Sequence, residues 1–140
     1  MIPEYLIREW TKDRPQVPRY NVAHISVSGT ATQLTADHVV DKNYDCILQT
    51  MCAEATAGAA QTVTSIQFRI IDKQGNFYRV MSFVPVTPRL QETLNYQGAE
   101  IFLPQGYTMR CIVFYNAGAS SNSFSFSLSS LLIPETNFLK

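Results

Sequence analysis

Charged side chains are scarce in this chain of 140 residues. They make up 16% of the sequence, and 11 basic residues are balanced by 11 acidic ones. An ordinary soluble domain carries roughly a quarter charged residues. A neutral surface of this kind creates no long-range field toward a phosphate backbone or an anionic membrane. We therefore expect neither nucleic acid nor a membrane among the partners, and a surface rich in Ser, Thr, Asn and Gln.

Long apolar runs are missing as well. No stretch approaches the roughly 18 apolar residues of a membrane-spanning helix. The N-terminal sequence Met-Ile-Pro-Glu-Tyr also lacks the basic start and the apolar run of a signal peptide. The sequence therefore predicts a soluble protein that is not secreted by that route.

Cysteine occurs only three times, at Cys46, Cys52 and Cys111. The odd count leaves at least one thiol outside any disulfide within the chain. Cys46 and Cys52 would lie about 20 Å apart on one extended strand, far beyond the reach of a disulfide. We predict three reduced and mostly buried thiols, as in a protein that folds in a reducing cytosol.

Familiar catalytic and metal-binding motifs are absent. The six glycines are scattered, so they form no phosphate-binding loop, and there is no Gly-x-Ser-x-Gly elbow. Asp37 and His38 are adjacent, which on a strand directs their side chains to opposite faces. His24 and His38 stand at none of the short spacings of zinc ligands relative to Cys46 and Cys52. The sequence thus predicts no enzyme, no cofactor and no metal site.

β-strand patterns are abundant from Asn21 onward. We predict strands at residues 22–28, 30–37, 44–53, 63–71, 77–84 and 99–103, separated by turn residues. The 63–71 and 77–84 strands form a hairpin around the turn at 72–76. The 44–53 strand is expected to be central and buried on both sides, with Cys46, Leu48, Thr50 and Cys52 on one face. Residues 53–61 are predicted to form a loop, and 87–97 a polar connection that crosses between sheets.

A second hairpin is predicted over residues 103–134. Its last strand alternates Phe124, Phe126 and Leu128 with a series of serines, which puts the apolar side chains on one face and the hydroxyls on the other. In total the chain has seven or eight strands with turns about every 8 to 12 residues. The predicted fold is all-β, a single antiparallel and jelly-roll-like sandwich over residues 21–134, with a C-terminal tail at 135–140.

Residues 1–20 form a segment of different composition, which we interpret as an extended N-terminal arm. Tyr5, Leu6 and Trp10 fall on one side of a short helix that begins at Pro3, and so short a helix must dock on something to be stable. Residues 14–18 contain two prolines and are expected to be extended. Two alternatives stay open: the arm lies over its own domain, or it reaches a neighbouring subunit. Tyr5, Leu6 and Trp10 are the candidate subunit contacts.

A segment near the C-terminus, about a quarter of the chain, resembles a known group of proteins. The Leu-Pro-Gln-Gly turn at 103–106, the strand after it, the Asn-Ala-Gly-Ala-Ser-Ser-Asn turn at 116–122 and the alternating final strand are similar to the last hairpin of small β-sandwich virion proteins of tailed bacteriophages. The resemblance implies a head-decoration, minor capsid or tail-associated protein that is oligomeric and is assembled in the host cytoplasm. It implies no catalytic residue.

Two functions are therefore expected. The first is a structural virion protein, a homo-oligomer that contacts other virion subunits through its arm and its sheet surfaces. The second is a carbohydrate-binding or adhesion module that presents flat aromatic rings to a glycan. The candidate rings for the second are Trp10 and four tyrosines in or beside predicted strands, Tyr78, Tyr96, Tyr107 and Tyr115.

Overall fold

The computed structural model describes residues 19–117 and 121–134, and strands account for most of them. The strands are β1 (Arg19–Gly29), β2 (Gln33–Val39), β3 (Tyr44–Thr56), β4 (Val63–Ile71), β5 (Phe77–Phe83), β6 (Gln91–Tyr96), β7 (Ile101–Leu103), β8 (Thr108–Tyr115) and β9 (Asn122–Pro134). These two ranges contain no helix, and so none that is long and apolar enough to cross a membrane.

The strands form two antiparallel sheets. One is five-stranded, with the order β1-β9-β3-β6 and with β7 also paired to β3; the other is four-stranded, with the order β2-β8-β4-β5. Most connections carry the chain from one sheet to the other, so that strands adjacent in a sheet are distant in sequence. The predicted all-β, jelly-roll-like sandwich is confirmed, with nine strands in the described residues where seven or eight were expected.

The core lies between the two sheets. Phe68 of β4 and Phe126 of β9 meet across it with ring centroids 5.8 Å apart, and both rings are almost fully buried. On the neighbouring strand β3, Ala53 and Ala55 stand directly opposite Phe126 and Phe124. Small residues beside large rings leave the volume that the rings need, and a well-filled core of this kind tolerates little change in side-chain size.

The β4–β5 hairpin forms as predicted. Ile66, Phe68 and Ile70 point into the core, and Gly75 in the turn has a positive φ of 90°, a conformation open to glycine at little cost. The Asp72 carboxylate accepts hydrogen bonds from the backbone N–H groups of Gln74 and Asn76, each at 2.9 Å. The turn is therefore specified by residues that are close in sequence.

The predicted hairpin over residues 103–134 is wrong. Both strands exist, but β8 pairs with β2 and β4, whereas β9 pairs with β1 and β3 in the other sheet. The alternation in β9 is as predicted, since Phe124, Phe126 and Leu128 are buried. A polar turn between two β-rich runs is equally compatible with a connection between sheets, and the choice depends on contacts far away in the sequence.

The predicted face of the third strand is also wrong beyond Leu48. Pairing with β9 jumps from Leu48 to Thr50, so Gln49 forms a β-bulge. A bulge reverses the alternation because one residue is added on one strand only. Cys46 and Leu48 point into the core before the bulge, while Met51 points inward after it, and Thr50 and Cys52 lie on the outer face. β3 is central, as expected, but its outer face is only partly covered.

Two segments predicted to lack strands contain them. β3 continues to Thr56, into the predicted loop at 53–61, and β6 occupies most of the predicted connection at 87–97. Leu94 and Tyr96 of β6 are buried and alternate with exposed residues, which is the two-residue period of a β-strand. The chain does cross between sheets here, because β5 and β6 belong to different ones.

The two ends of the chain are described only in part. Tyr5, Leu6 and Trp10, and the predicted tail at 135–140, lie outside the described residues. β1 begins at Arg19, so the last two residues of the segment that we assigned to the arm are part of a strand.

The three cysteines are free thiols. Burial raises the pKa of Cys111 and, with a smaller opposing effect of the Ser130 hydroxyl, that of Cys46. Cys52 is half-buried on the outer face, and burial together with the Glu54 carboxylate raises its pKa as well. Since the thiolate is the reactive form, all three are poor nucleophiles.

We predict that iodoacetamide labels Cys52 first in the native protein, because access is greatest there, and leaves Cys46 and Cys111 unlabelled over the same time. Mass spectrometry of peptides from the labelled protein measures this order. Labelling in denaturant is the control and should modify all three thiols. Rapid native labelling of Cys111 would contradict the burial described here.

Tyr115 links the two sheets at the end of β8. Its ring is 4% exposed, and its hydroxyl donates a hydrogen bond of 3.0 Å to the Ser123 carbonyl oxygen. Burial raises the pKa of Tyr115 to about 12, with a further contribution from Cys111. Between pH 10 and this value the unfolded chain loses the phenolic proton and the folded chain keeps it, so the free energy of unfolding decreases as the pH rises.

We predict that the raised pKa of Tyr115 lowers the free energy of unfolding by roughly 3 kcal/mol once the pH passes 12. About half of this loss occurs by pH 11. Tyr115→Phe should lose about 1 kcal/mol at pH 8 through the missing hydrogen bond, and should then lose less than the wild type between pH 8 and pH 11. Urea unfolding of both proteins at pH 8 and pH 11 measures the loss in the free energy of unfolding for each. The other tyrosines contribute equally to both losses and therefore cancel in the comparison. Parallel losses in the two proteins would refute the assignment.

Candidate interaction surface

The outer face of the five-stranded sheet carries a line of large apolar side chains. The strand register places Tyr20 of β1 opposite Leu131 of β9, Leu131 opposite Ile47 of β3, and Ile47 opposite Phe102 of β7. We call these four residues the apolar row. It crosses four strands and therefore extends about 14 Å at the usual spacing between strands.

The apolar row is open to solvent. Tyr20 is 74% exposed and Phe102 is 60% exposed, and Val22, one position further along the same face, is 75% exposed. Leu131 and Ile47 between them are half-buried. A contiguous exposed apolar patch on a soluble protein commonly marks a contact with another molecule. The row lies at the end of the sheet where β1 begins and β9 ends.

The rest of the same outer face is rich in hydroxyl groups. The Thr50 and Ser129 hydroxyls are 2.5 Å apart, and His24 Nδ1 lies 2.8 Å from the Ser127 hydroxyl. A shallow depression of about 390 Å³ lies at the far end of this face, and Glu54 is the one carboxylate in its lining. The hydroxyl-bearing residues of the lining are Ser26, Ser28, Thr56, Ser123 and Ser125. Such a surface offers many neutral donors and acceptors.

The His24–Ser127 contact has no signal in the sequence, because the two residues are 103 positions apart. Within the described residues His24 hydrogen-bonds only to Ser127 and, more weakly at 3.4 Å, to Ser26. A serine nucleophile needs its histidine base to be oriented by a third group, usually a carboxylate. Asp37 lies on the other sheet, where both of its oxygens accept hydrogen bonds from Arg110, at 2.6 and 2.9 Å.

Three of the four candidate tyrosines meet in one cleft at the open side of the sandwich. Tyr78 of β5, Tyr96 of β6 and Tyr107 line a cavity of about 450 Å³ between the two sheets. We call it the tyrosine cleft. Its other lining residues are Ile70, Arg79, Val80, Ile101 and Leu103. Tyr115 lies elsewhere, buried at the end of β8.

The tyrosines of the cleft have different roles. Tyr96 is buried, and its hydroxyl donates a hydrogen bond to the Ala99 carbonyl oxygen, which holds the β6–β7 turn. Tyr78 is 59% exposed and is free to contact a ligand. In the described part of the chain no three metal-ligating side chains of His, Cys, Asp or Glu come together. Tyr5, Leu6 and Trp10, the candidate subunit contacts, are not among the described residues.

Comparison with known proteins yields similarity in structure alone. No protein-family model matches the chain, and no curated protein matches it. A chain of the triple jelly roll fold and turret assembly of an archaeal virus is 14% identical with a TM-score of 0.59, over 86% of this chain and 30% of that one. PirA is 14% identical with a TM-score of 0.46, over 75% and 92%. A protein of infectious bursal disease virus, Gx strain, is 13% identical with a TM-score of 0.44, over 89% and 34%.

The archaeal virus comparison supports the fold described above. At 14% identity it shows a shared jelly-roll architecture and nothing of function. This chain spans less than a third of the length of the archaeal virus chain that it matches.

Proposed function

We propose that this protein is a non-enzymatic structural component of a virion, a head-decoration, minor capsid or tail-associated protein of a bacteriophage. It forms a homo-oligomer in the host cytoplasm and contacts other virion subunits through its arm and its sheet surfaces. The observation that carries the proposal is the exposed apolar row on a jelly-roll sandwich. The similarity in fold to a viral jelly-roll protein is consistent with it.

The apolar row is well placed to receive the arm. Residues 1–18 join the sheet at Arg19, next to Tyr20 at one end of the row. An extended chain from Arg19 back to Trp10 spans about 30 Å, at roughly 3.3 Å per residue. This exceeds the length of the row, so the chain is long enough for the proposed contact of Tyr5, Leu6 and Trp10 with the row of their own chain or with that of a neighbour.

The composition of the surface favours contacts between proteins. Covering a large apolar side chain contributes about 1.5–3 kcal/mol, and Tyr20, Val22 and Phe102 each have more than half of their surface available. With a net charge of zero, copies of the chain do not repel one another over long distances. The hydroxyl-rich half of the face adds neutral hydrogen bonds around the apolar contact, as in the polar rim of known interfaces.

We predict that the full chain shows a concentration-dependent increase in mass by light scattering, and that deletion of residues 1–18 or the Phe102→Ser change lowers this mass. Val86→Ser is the matched control, since Val86 is an exposed valine in the β5–β6 connection, away from the row. The proposal fails if the protein is a monomer at all concentrations, or if neither change alters its size.

The tyrosine cleft supports carbohydrate binding as a second candidate function. Aromatic rings stack on the apolar faces of sugars, and a cleft with a few polar groups is the usual form of a small-molecule site. Here the Tyr78 and Tyr107 rings and the Arg79 guanidinium line one cavity. The cleft is formed by the edge strands of both sheets, β5 and β6, so a glycan would bind at the side of the sandwich.

We predict for this alternative that a glycan array shows binding that Tyr78→Ala reduces at least tenfold. Phe77→Ala is the matched control: Phe77 is also exposed, but it lies on the opposite face of β5, where Arg69 stacks on its ring at 4.4 Å. Tyr96→Ala is unsuitable because Tyr96 holds a turn. An array without signal excludes this function.

A further inference from the structure

The edge strands of the sandwich differ in their protection against pairing with another chain. A sheet edge presents unpaired backbone N–H and C=O groups, and natural proteins block it with short strands, charges, prolines or bulges. β5 contains a bulge opposite Arg69 and is followed by Pro85. β2 has seven residues and includes Asp37. β6 has six residues and includes Glu92.

β1 has none of these protections. It is 11 residues long, and it pairs with β9 from Arg19 to Gly29 without any shift of register. It contains no proline and no acidic residue, and its single lysine or arginine is Arg19 at the first position. Among residues 19–117 and 121–134, β9 is its hydrogen-bonded neighbour on one side only. The other side presents a long and regular row of backbone groups.

The core is also incompletely covered along β1. Ala23, Ile25 and Val27 point between the sheets but remain partly exposed. Their partners on β9, Leu128, Phe126 and Phe124, are at most 3% exposed. Within the described residues the inner side chains are therefore covered at β9 and only partly covered one strand further out, at β1. A strand added beside β1 would cover these side chains in the same way that β1 covers those of β9.

We propose that β1 pairs antiparallel with β1 of a second copy of this chain, around a two-fold axis, and so joins the two five-stranded sheets into one. Overlap of the whole strand places His24 opposite its counterpart, Val22 opposite Ser26, and Ala23 opposite Ile25. Arg19 then faces Gly29, so no two arginines stand opposite each other. An extended partner completes roughly one backbone hydrogen bond per residue pair, and the strand that fits this edge best in length and charge is β1 itself.

This pairing deepens the proposed function, because it names one contact between subunits. Of the apolar row it includes only Tyr20, and it involves neither residues 1–18 nor Phe102. A chain without residues 1–18 should keep it. If deletion of residues 1–18 and Phe102→Ser leave the size unchanged while β1 pairs, the proposed contact through the arm and the apolar row is refuted and the β1 pairing stands. If those changes reduce the size and β1 does not pair, the β1 pairing is refuted and the contact through the arm and the row stands.

A cysteine scan tests the register directly. In a Cys52→Ser background, His24→Cys places one thiol opposite its copy, and a mild oxidant such as oxidised glutathione should give a covalent dimer on a non-reducing gel. Ser26→Cys is the matched control, exposed on the same face, but its two copies would be about 13 Å apart, four positions along the strand. Mixing the Val22→Cys and Ser26→Cys proteins should restore crosslinking. No dimer from His24→Cys, or equal crosslinking of both single variants, would overturn the proposal.

A charge placed on the inner side of the edge tests the pairing without crosslinks. Ala23→Lys should at least halve the dimer fraction seen by sedimentation at a fixed concentration, because an inward lysine blocks an incoming strand. Thr35→Lys on the exposed face of β2 is the control and should leave the fraction unchanged. Circular dichroism confirms folding of each variant. An unchanged dimer fraction in folded Ala23→Lys would contradict the proposal, and if this variant does not fold, the cysteine comparison decides.

Discussion

The structure depends on the unbroken two-residue period of β9. This strand pairs with β1 on one side and with β3 on the other along almost its whole length, and its inner face supplies Phe124, Phe126 and Leu128 to the core. A slip of one residue in either pairing would bring serines into the core and phenylalanines into solvent, so the register of both neighbours is fixed. The bulge at Gln49 lies in β3, and the pairing of β9 with β1 continues past it without a shift.

Asn122 anchors the start of this strand. It is fully buried, and its side-chain oxygen accepts a hydrogen bond of 2.8 Å from the Gly58 backbone N–H. Its side-chain nitrogen donates to the carbonyl oxygens of Ala31 and Ala117, at 3.3 and 3.5 Å. One amide thus joins three connections that enter or leave different strands. A buried amide with all of these partners holds the end of the sandwich in one arrangement.

Local sequence determined which parts of the fold were predictable. The β4–β5 hairpin followed from the Asp72 and Gly75 turn, and the inner face of β9 followed from its alternation. The sheet to which β9 belongs could not be predicted from local sequence. Strand pairing depends on contacts between residues more than 70 positions apart in the chain, such as Thr50 and Ser129. The bulge at Gln49 has no signal in composition. Of the surfaces, the tyrosines were identified individually, while the apolar row exists only once four separate strands are aligned.

The pairing of β1 with β9 also has a consequence for synthesis on the ribosome. His24 is opposite Ser127, which is translated 103 positions later. At a translation rate of roughly 5–20 residues per second, the partner of β1 is therefore synthesised about 5 to 20 s after β1 itself. During that interval both of its edges are available to other nascent chains on the same message. The order of translation therefore leaves β1, the least protected edge strand of the described residues, without its neighbour for longer than any other strand.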